Sequence, residues 1–359
     1  MGQRGPKNSF TGVTCTNRKC DVYGKTDDGT IVANGTYRTR SGTVRKYICK
    51  ECGTVFNDRT GTAVYDLRTN DETIMNALKL AVSGMSIRAI SRDLKVNQET
   101  IRRWLERAAD HSEDVETVLM RRIKVTKIEL DEMWTYIQKK RLPRVDSVSD
   151  DGTWIWTSID PDTKLIPAFH IGKRHKGDAY KMIEKLHYKL EDVPLFVSDG
   201  LNYYKNALLK MYGITKKRKN PFDRRLKHAD EKVLPPEGLR YGQVVKTVNG
   251  KTLTNVERRP VFGNVDKRDI TTSIIERLNL TLRQELNRFS RKTIGPSKNI
   301  NHLTAHFSFY VRHYNFCRPH MSHKLGGIRY GTPAMAARIT DDVWSVRKLL
   351  FFPYRNYIN

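Results

Sequence analysis

Four of the five cysteines in this 359-residue chain, Cys15, Cys20, Cys49 and Cys52, lie before position 53. No other feature constrains the fold as much. The spacing is Cys15-x4-Cys20, then 28 residues, then Cys49-x2-Cys52. Two close pairs of thiolates, each from one tight turn, can surround a tetrahedral zinc ion. Gly53 suits such a knuckle, where the backbone often takes positive φ. The second pair has the standard spacing and the first a looser one. The segment MGQRGPKNSF carries no apolar run of the secretory kind, so a reducing compartment is expected. There, clustered cysteines read as metal ligands rather than disulfides. Residues 1–62 are therefore expected to form a zinc ribbon with one structural Zn²⁺. A ribbon can bind DNA, bind protein or simply stabilise a short chain. The surrounding Arg38, Arg40, Arg45, Lys46 and Lys50 favour DNA.

Charge points the same way. Lys and Arg number 65 against 39 Asp and Glu, a net charge of +26 with a sequence pI near 9.9. So basic a balance implies a polyanionic partner, most often nucleic acid. No apolar run is long enough to span a bilayer, so no membrane partner is expected.

Residues 63–118 follow a helical period. Ile74, Leu78, Ala81 and Val82 share one face. Ser86 can cap a second helix, Ile87 to Leu94, and Asn97 a third running to about Ala109. Ile101, Trp104 and Leu105 would point inward from the third helix. Gln98, Thr100, Arg102 and Arg103 would lie outward. This reads as a helix-turn-helix whose outer face can reach base edges or phosphates; an ordinary helical bundle is the alternative.

Residues 122–359 alternate strand-like and helix-like stretches, an α/β pattern. Strands are predicted over 125–137, 154–159, 165–171 and 195–197. Helices are predicted over 176–190, 200–211, 272–290 and 300–316. Asn249-Gly250 between two strand-like runs signals a hairpin. The run 210–227 holds eight Lys or Arg and one acid, Asp223.

Three carboxylates stand out. Asp131 interrupts a strand, where Asp is disfavoured. Asp199 follows the apolar run Leu195-Phe196-Val197 and precedes Gly200, placing it at a strand's carboxyl end, where α/β sites collect. Glu276 opens an amphipathic helix with Asn279 and Arg283 on the same polar stripe. Converging carboxylates can hold two Mg²⁺ ions for phosphodiester displacement. Spacing alone does not choose among candidates, and Glu129, Glu132, Asp160 and Asp162 are rivals. His302 and His306 lack the Glu of a His-Glu-x-x-His motif. They are expected to pack or approach phosphate, and Cys317 to be a small buried hydrophobe.

At these residues the chain resembles a known family. Glu129-Leu130-Asp131-Glu132-Met133-Trp134, Ser198-Asp199-Gly200 and Ile275-Glu276-Arg277-Leu278-Asn279-Leu280-Thr281-Leu282-Arg283 resemble the three acidic motifs of insertion-sequence DDE transposases. The stretch through Arg45-Lys46-Tyr47-Ile48-Cys49-Lys50-Glu51-Cys52-Gly53 is similar to the zinc-ribbon start in the family of the first-described bacterial insertion sequence. Tyr314-Asn315-Phe316-Cys317-Arg318-Pro319-His320 resembles a signature near the end of many such enzymes.

The resemblance implies a multidomain α/β protein: a zinc ribbon, a helix-turn-helix and an RNase H-like catalytic domain. Asp131, Asp199 and Glu276 would hold two Mg²⁺ (or Mn²⁺) ions. The activity implied is cleavage at element ends and transfer of the 3′-OH ends into target DNA. The implied partners are double-stranded DNA, as terminal inverted repeats and target, and a homodimer or higher homo-oligomer. A prokaryotic cytoplasmic, nucleoid-associated location goes with it. Asn279 and Arg283 would lie near the scissile phosphate.

Two departures matter. Family members are often made from two reading frames, and this chain is continuous. Also, 76 residues separate Asp199 from Glu276. The excess is expected to be a basic, hairpin-containing insertion at about 216–268 that grips DNA through Lys216, Lys217, Arg218, Lys219, Arg224 and Arg225. Two rival functions are a non-catalytic zinc and helix-turn-helix regulator, and a nuclease that never joins DNA.

Overall fold

A computed structural model describes residues 9, 12–26, 29–137, 152–216, 232–250, 252–290, 293, 295–323 and 330–357. Along the chain run β1 (Ile31–Thr39), β2 (Gly42–Cys49), β3 (Val55–Asn57), α1 (Asp71–Val82), α2 (Ile87–Leu94) and α3 (Gln98–Leu119). Then come β4 (Lys127–Thr135), β5 (Thr153–Ile159), β6 (Phe169–Gly172), α4 (Lys176–His187), β7 (Leu195–Asp199), α5 (Asn202–Tyr212), β8 (Ile214–Lys216) and β9 (Lys232–Leu234). The hairpin strands β10 (Arg240–Asn249) and β11 (Thr252–Phe262) precede α6 (Ser273–Glu285), α7 (Ile300–Phe316), α8 (Pro333–Ala336) and α9 (Val346–Phe351). Among the described residues no helix is long and apolar enough to cross a membrane.

The chain divides into two compact units. One comprises Met1–Leu119, Asn301–Arg318 and Asp342–Asn359. Here β1, β2 and β3 form an antiparallel sheet over a small core of Cys15, Cys20, Val22, Ile31, Tyr47, Cys49 and Phe56. Asn70, Ser86 and Asn97 cap α1, α2 and α3 by accepting from Glu72, Ala89 and Glu99 backbone N–H groups at 2.8, 3.2 and 2.8 Å. Lys95 ends α2 in the left-handed region at φ 53°.

Two expectations change in this unit. First, α3 runs to Leu119, past the predicted end near Ala109, because its buried face continues through Ser112, Val115 and Glu116. Second, the segments Asn301–Arg318 and Asp342–Asn359 belong here, not with the catalytic span drawn over 122–359. Buried polar pairing holds them. Arg312 on α7 forms an ion pair with Glu116 on α3, both almost fully buried. His306 Nε2 lies 2.9 Å from the Ala81 carbonyl oxygen, so it packs as expected. The Leu350 carbonyl accepts from Ala63 at 3.1 Å.

The second unit, Met120–Ile300 with Pro319–Asp341, is built on a mixed six-stranded sheet of order β11-β10-β7-β4-β5-β6. The β4-β5-β6 part is antiparallel, β7 runs parallel to β4, and β10 runs parallel to β7. The parallel connections pass through helices, as they must. Alternation along β4 divides the faces. Ile128 and Leu130 join Trp156, Phe196, Tyr204, Tyr241 and the apolar residues of α4 and α5 in the main core. Glu129 and Asp131 face the other way and meet α6. Predicted strand 165–171 is ordered as a strand only from Phe169, because Pro167 has no N–H to give the ladder.

The expected insertion at about 216–268 is corrected in the same way. Arg240–Val244 pair in parallel register with Leu195–Asp199, so the first half of β10 is a sheet strand. Only its outer half, from Val245, and the opposing first half of β11, up to Glu257, project beyond that pairing. The hairpin turn also falls one residue later than predicted: Asn249 pairs with Thr252, and Gly250 takes φ 61°. Lys216 lies in β8, while Lys217, Arg218, Lys219, Arg224 and Arg225 fall outside the described residues.

Candidate metal centres and the acidic cavity

The four N-terminal thiols converge. The sulfurs of Cys15, Cys20, Cys49 and Cys52 all lie within 4.8 Å of one another. Cys15 Sγ is 3.5 Å from Cys52 Sγ, and Cys20 Sγ is 3.9 Å from Cys49 Sγ. Sulfurs bound about 2.3 Å from a tetrahedral metal sit roughly 3.8 Å apart, so the group fits one metal ion. Gly53 takes φ 71° in the second knuckle, as its position predicts. Burial pushes the Cys15 thiol up, whereas hydrogen bonding with Thr54 pulls Cys52 down to about 6. A thiolate is thus already favoured at one corner of the group. Nearby, Arg45 is exposed and Lys46 lies over the Tyr37 ring at 6.0 Å.

The outer face of α3 is less open than predicted. Arg103 is exposed, but Gln98, Thr100 and Arg102 are half-buried. Arg102 donates to Glu99 Oε2 at 3.1 Å and to Gln98 Oε1 at 3.4 Å. Its guanidinium is therefore partly committed to its own helix.

In the second unit, register brings the acids together. Leu130 pairs with Ser198, so Asp131 and Asp199 come one step further along neighbouring parallel strands. A cavity of about 540 Å³ opens there, lined by Asp131, Asp199, Glu276, Arg174, Lys246 and Thr272 among others. Asp131, Asp199 and Glu132 have carboxylate oxygens within 4.8 Å of one another. Glu276 lines the same cavity without joining that close cluster. Its Oε1 accepts from Lys246 Nζ at 2.5 Å and from Thr272 Oγ1 at 2.7 Å. Burial works against its charge, but the Lys246 and Thr272 contacts outweigh it and hold the carboxyl below the usual range.

Asp131 shows what the crowding does. Burial, and then the charges of Glu132, Asp199 and Glu276, push it up to about 7. Burial and Asp199 also raise Glu132. Several hard oxygen donors crowded this closely suit divalent cations such as Mg²⁺. Asn279 Nδ2 donates to Asp131 Oδ2 at 2.7 Å and fixes its orientation. Arg283, one helical turn further on, lines a neighbouring cavity.

The rival carboxylates now separate by role. Glu129 is fully buried and accepts from the backbone N–H groups of Ile274 and Ile275, both at 3.0 Å. It thereby caps α6 from outside the helix and sets where the first-turn Glu276 lies. Lys127 Nζ, 3.2 Å away, balances its charge. Asp160 accepts from Thr163 and the Asp162 N–H within a turn, and Asp162 accepts from Thr126, so both are structural. Glu132 is the residue that motif reasoning left among the rivals. Arg174 donates to its Oε1 through two nitrogens at 2.9 and 2.6 Å, and Tyr204 to its Oε2 at 3.2 Å. An acid directly after Asp131 was the available signal. Elsewhere, His302 lies 3.6 Å from Glu106 and Cys317 is half-buried rather than buried; among the described residues neither joins a metal-ligand group.

No protein-family model matches the chain, and no curated protein matches it either.

Proposed function

We propose that this chain is a DDE transposase. Its Asp131, Asp199 and Glu276 carry out divalent-metal-dependent phosphodiester transfer on an RNase H-like fold, and its ribbon and helix-turn-helix grip terminal DNA repeats. One observation carries the reading: Asp131 in the middle of β4 and Asp199 at the end of the neighbouring parallel β7 share a cavity with Glu276 from the first turn of α6. A β4-β5-β6 antiparallel meander extended by parallel β7 and β10, with helices between the parallel strands, supports the RNase H-like reading. The four-thiol group supports one structural Zn²⁺.

Asp131, Asp199 and Glu276 would hold the catalytic Mg²⁺ or Mn²⁺, with Glu132 as a further oxygen donor. Bound there, the pair of ions supplies activation of the attacking oxygen and stabilisation of the leaving one. The protein's own part is positioning and charge. Asn279 orients Asp131, and Glu129 fixes the helix that carries Glu276. Arg174 and Lys246 present positive charge in the same cavity, where a phosphodiester's negative oxygens must sit. Arg103, Arg45 and the basic segment after Lys216 contribute phosphate contacts that do not depend on sequence.

The test is hydrolysis of a labelled duplex that carries the chain's own element end, with and without Mg²⁺. Wild type is expected to nick at the element boundary only with the metal, and Asp199→Asn to lose at least about 10³-fold in rate, in line with loss of charge stabilisation. Metal-independent nicking, or full activity in Asp199→Asn, would refute the assignment. A chain that binds the end but never cuts it would be the regulator instead.

A further inference from the structure

The first unit holds a cavity of about 500 Å³ that the proposed reaction does not use. The end of β1 and the turn after it supply Tyr37, Arg40 and Ser41, and the chain beyond β3 supplies Arg59, Tyr65 and Arg68. Its floor is charged and fixed. Arg59 is 7% exposed, and its Nη2 donates to Asp71 Oδ1 at 2.6 Å and to the Val64 carbonyl at 3.1 Å. Ser41 Oγ donates to the same Asp71 oxygen at 2.9 Å, which ties the β1–β2 turn to the floor. Arg347, in the same unit, lies 3.6 Å from Asp71, so one buried carboxylate faces two guanidinium groups. Arg59 Nε is buried as well and has no hydrogen-bond partner among the described residues. The floor is therefore net positive, and low-dielectric walls focus its field into the opening.

The mouth adds charge that nothing in the fold consumes. Arg40 and Arg68 are exposed, and neither side chain has a hydrogen-bond or ion-pair partner among the described residues. In the same lining, Tyr37 and Tyr65 are 40% and 43% exposed. The Tyr37 hydroxyl accepts from Asn57 Nδ2 at 3.1 Å, which leaves its own proton free to donate. Asp66, held in the left-handed region at φ 59°, is the acid set against the three arginines. Guanidinium forks and a tyrosine hydroxyl around one cavity match the oxygens of a phosphate ester. Exposed tyrosine rings offer apolar faces to the sugar that the phosphate carries.

We propose that this cavity is a phosphate-ester site that seats one backbone phosphate of duplex DNA, with Arg59 as its fixed floor and Arg40 and Arg68 closing on the phosphate from the rim. Such a contact sets where the first unit sits on a duplex and carries no sequence information. The exposed, arginine-rimmed mouth suits a polymer that passes across it, whereas a free nucleotide is held by enclosing most of its surface. The net charge of +26 draws in the same polymer. The site makes no use of the carboxylates, so it stands for a non-catalytic DNA-binding chain as well as for a transposase.

The experiment reads the anisotropy of a short fluorescent duplex of arbitrary sequence, in divalent-free buffer over a salt series. The full chain is used as wild type, Arg40→Gln, Arg68→Gln, the double variant of these two, Arg103→Gln, and Arg68→Gln combined with Arg103→Gln. Arg40→Gln and Arg68→Gln are each expected to weaken binding about tenfold, the loss of one charge-assisted contact. Because both arginines act on one phosphate, their double variant should bind less than about threefold more weakly than the weaker single variant, with a log–log salt slope lower by about 1 than wild type. Arg103 is carried by α3 rather than by the segments of the cavity, so its loss should multiply with that of Arg68. Arg40 and Arg68 are exposed, so their replacement should leave the melting temperature unchanged. Losses that multiply between Arg40 and Arg68 would mean two independent surface contacts and would overturn the proposal, as would unaltered binding in both single variants. Thermal shift with inorganic phosphate and with thymidine monophosphate separates the sources of the phosphate. Stabilisation of wild type by the mononucleotide, lost in a double variant whose duplex affinity is unaltered, would make this a free-nucleotide site and overturn the DNA assignment. The readout needs neither metal nor cleavage, so it can fail while the transposase assignment stands, and the reverse.

Discussion

Glu129 and Asp131 stand two residues apart on one strand face and divide two tasks. Asp131 belongs to the carboxylate cluster; Glu129 ties down the helix that brings Glu276. Removing Glu129 leaves the Ile274 and Ile275 N–H groups without an acceptor and Lys127 without its ion-pair partner. Glu129→Ala is therefore expected to destabilise the protein by about 3 kcal/mol or more, measured by denaturant unfolding, as for a broken buried pair. His111 on α3 sets a pH limit. Burial lowers its pKa to about 4, against a usual value near 6.5. Between those values the unfolded chain binds a proton that the folded chain does not, so stability falls as pH drops from about 6.5 to about 4. The loss from this one group is at most about 3 kcal/mol. The melting temperature of His111→Gln should depend less on pH across that window than wild type does, and an identical dependence would rule His111 out as the source.

At the scale of elements, much was legible because local signals agree with the final packing. The caps at Ser86 and Asn97 announce two helices, and the apolar stripe of α6 announces its buried side. The period along α7 gave that helix's bounds, but not its partner. Nothing local in Arg312 says that it will pair with Glu116 across the chain, so the unit boundary was missed. The same limit hid β10. Its outer half reads as an exposed hairpin, while its inner half is committed to β7 by a parallel pairing that sequence alternation cannot reveal. Gly250 gives a check on the hairpin. Its φ of 61° suits glycine, and a Cβ there meets nothing within 4 Å, so Gly250→Val acts through backbone strain alone. It should cost about 1 kcal/mol locally, seen as faster amide exchange over Val245–Val248 with the sheet core unchanged. The N-terminal sheet depends on its thiols for its core, since Cys15, Cys20 and Cys49 are all buried in it, and zinc on them is the proposed further support. Chelation, or Cys49→Ser, should expose the remaining thiols to alkylation and release one zinc per chain by elemental analysis. Protected thiols after complete metal removal would contradict that.

Across the whole molecule, the acidic motifs were legible because each sits where a charged residue needs a reason: Asp131 within a strand, Asp199 at a strand's end and Glu276 in a helix's first turn. The exchange of closeness between Glu132 and Glu276 was not, because it turns on side-chain partners: Arg174 and Tyr204 for one, Lys246 for the other. The net charge of +26 sets the expectation for binding. Affinity for element-end DNA should fall steeply with salt, the log–log slope counting several phosphate contacts. The most direct measurement of the central claim is strand transfer. A labelled element end with a free 3′-OH is incubated with target plasmid, Mg²⁺ and either wild type or Asp131→Asn. The predicted result is joined product from wild type, none without metal, and none from the variant at equal DNA binding. Joining by Asp131→Asn at the wild-type rate, or no joining by wild type with its own ends under any metal condition, would contradict the assignment.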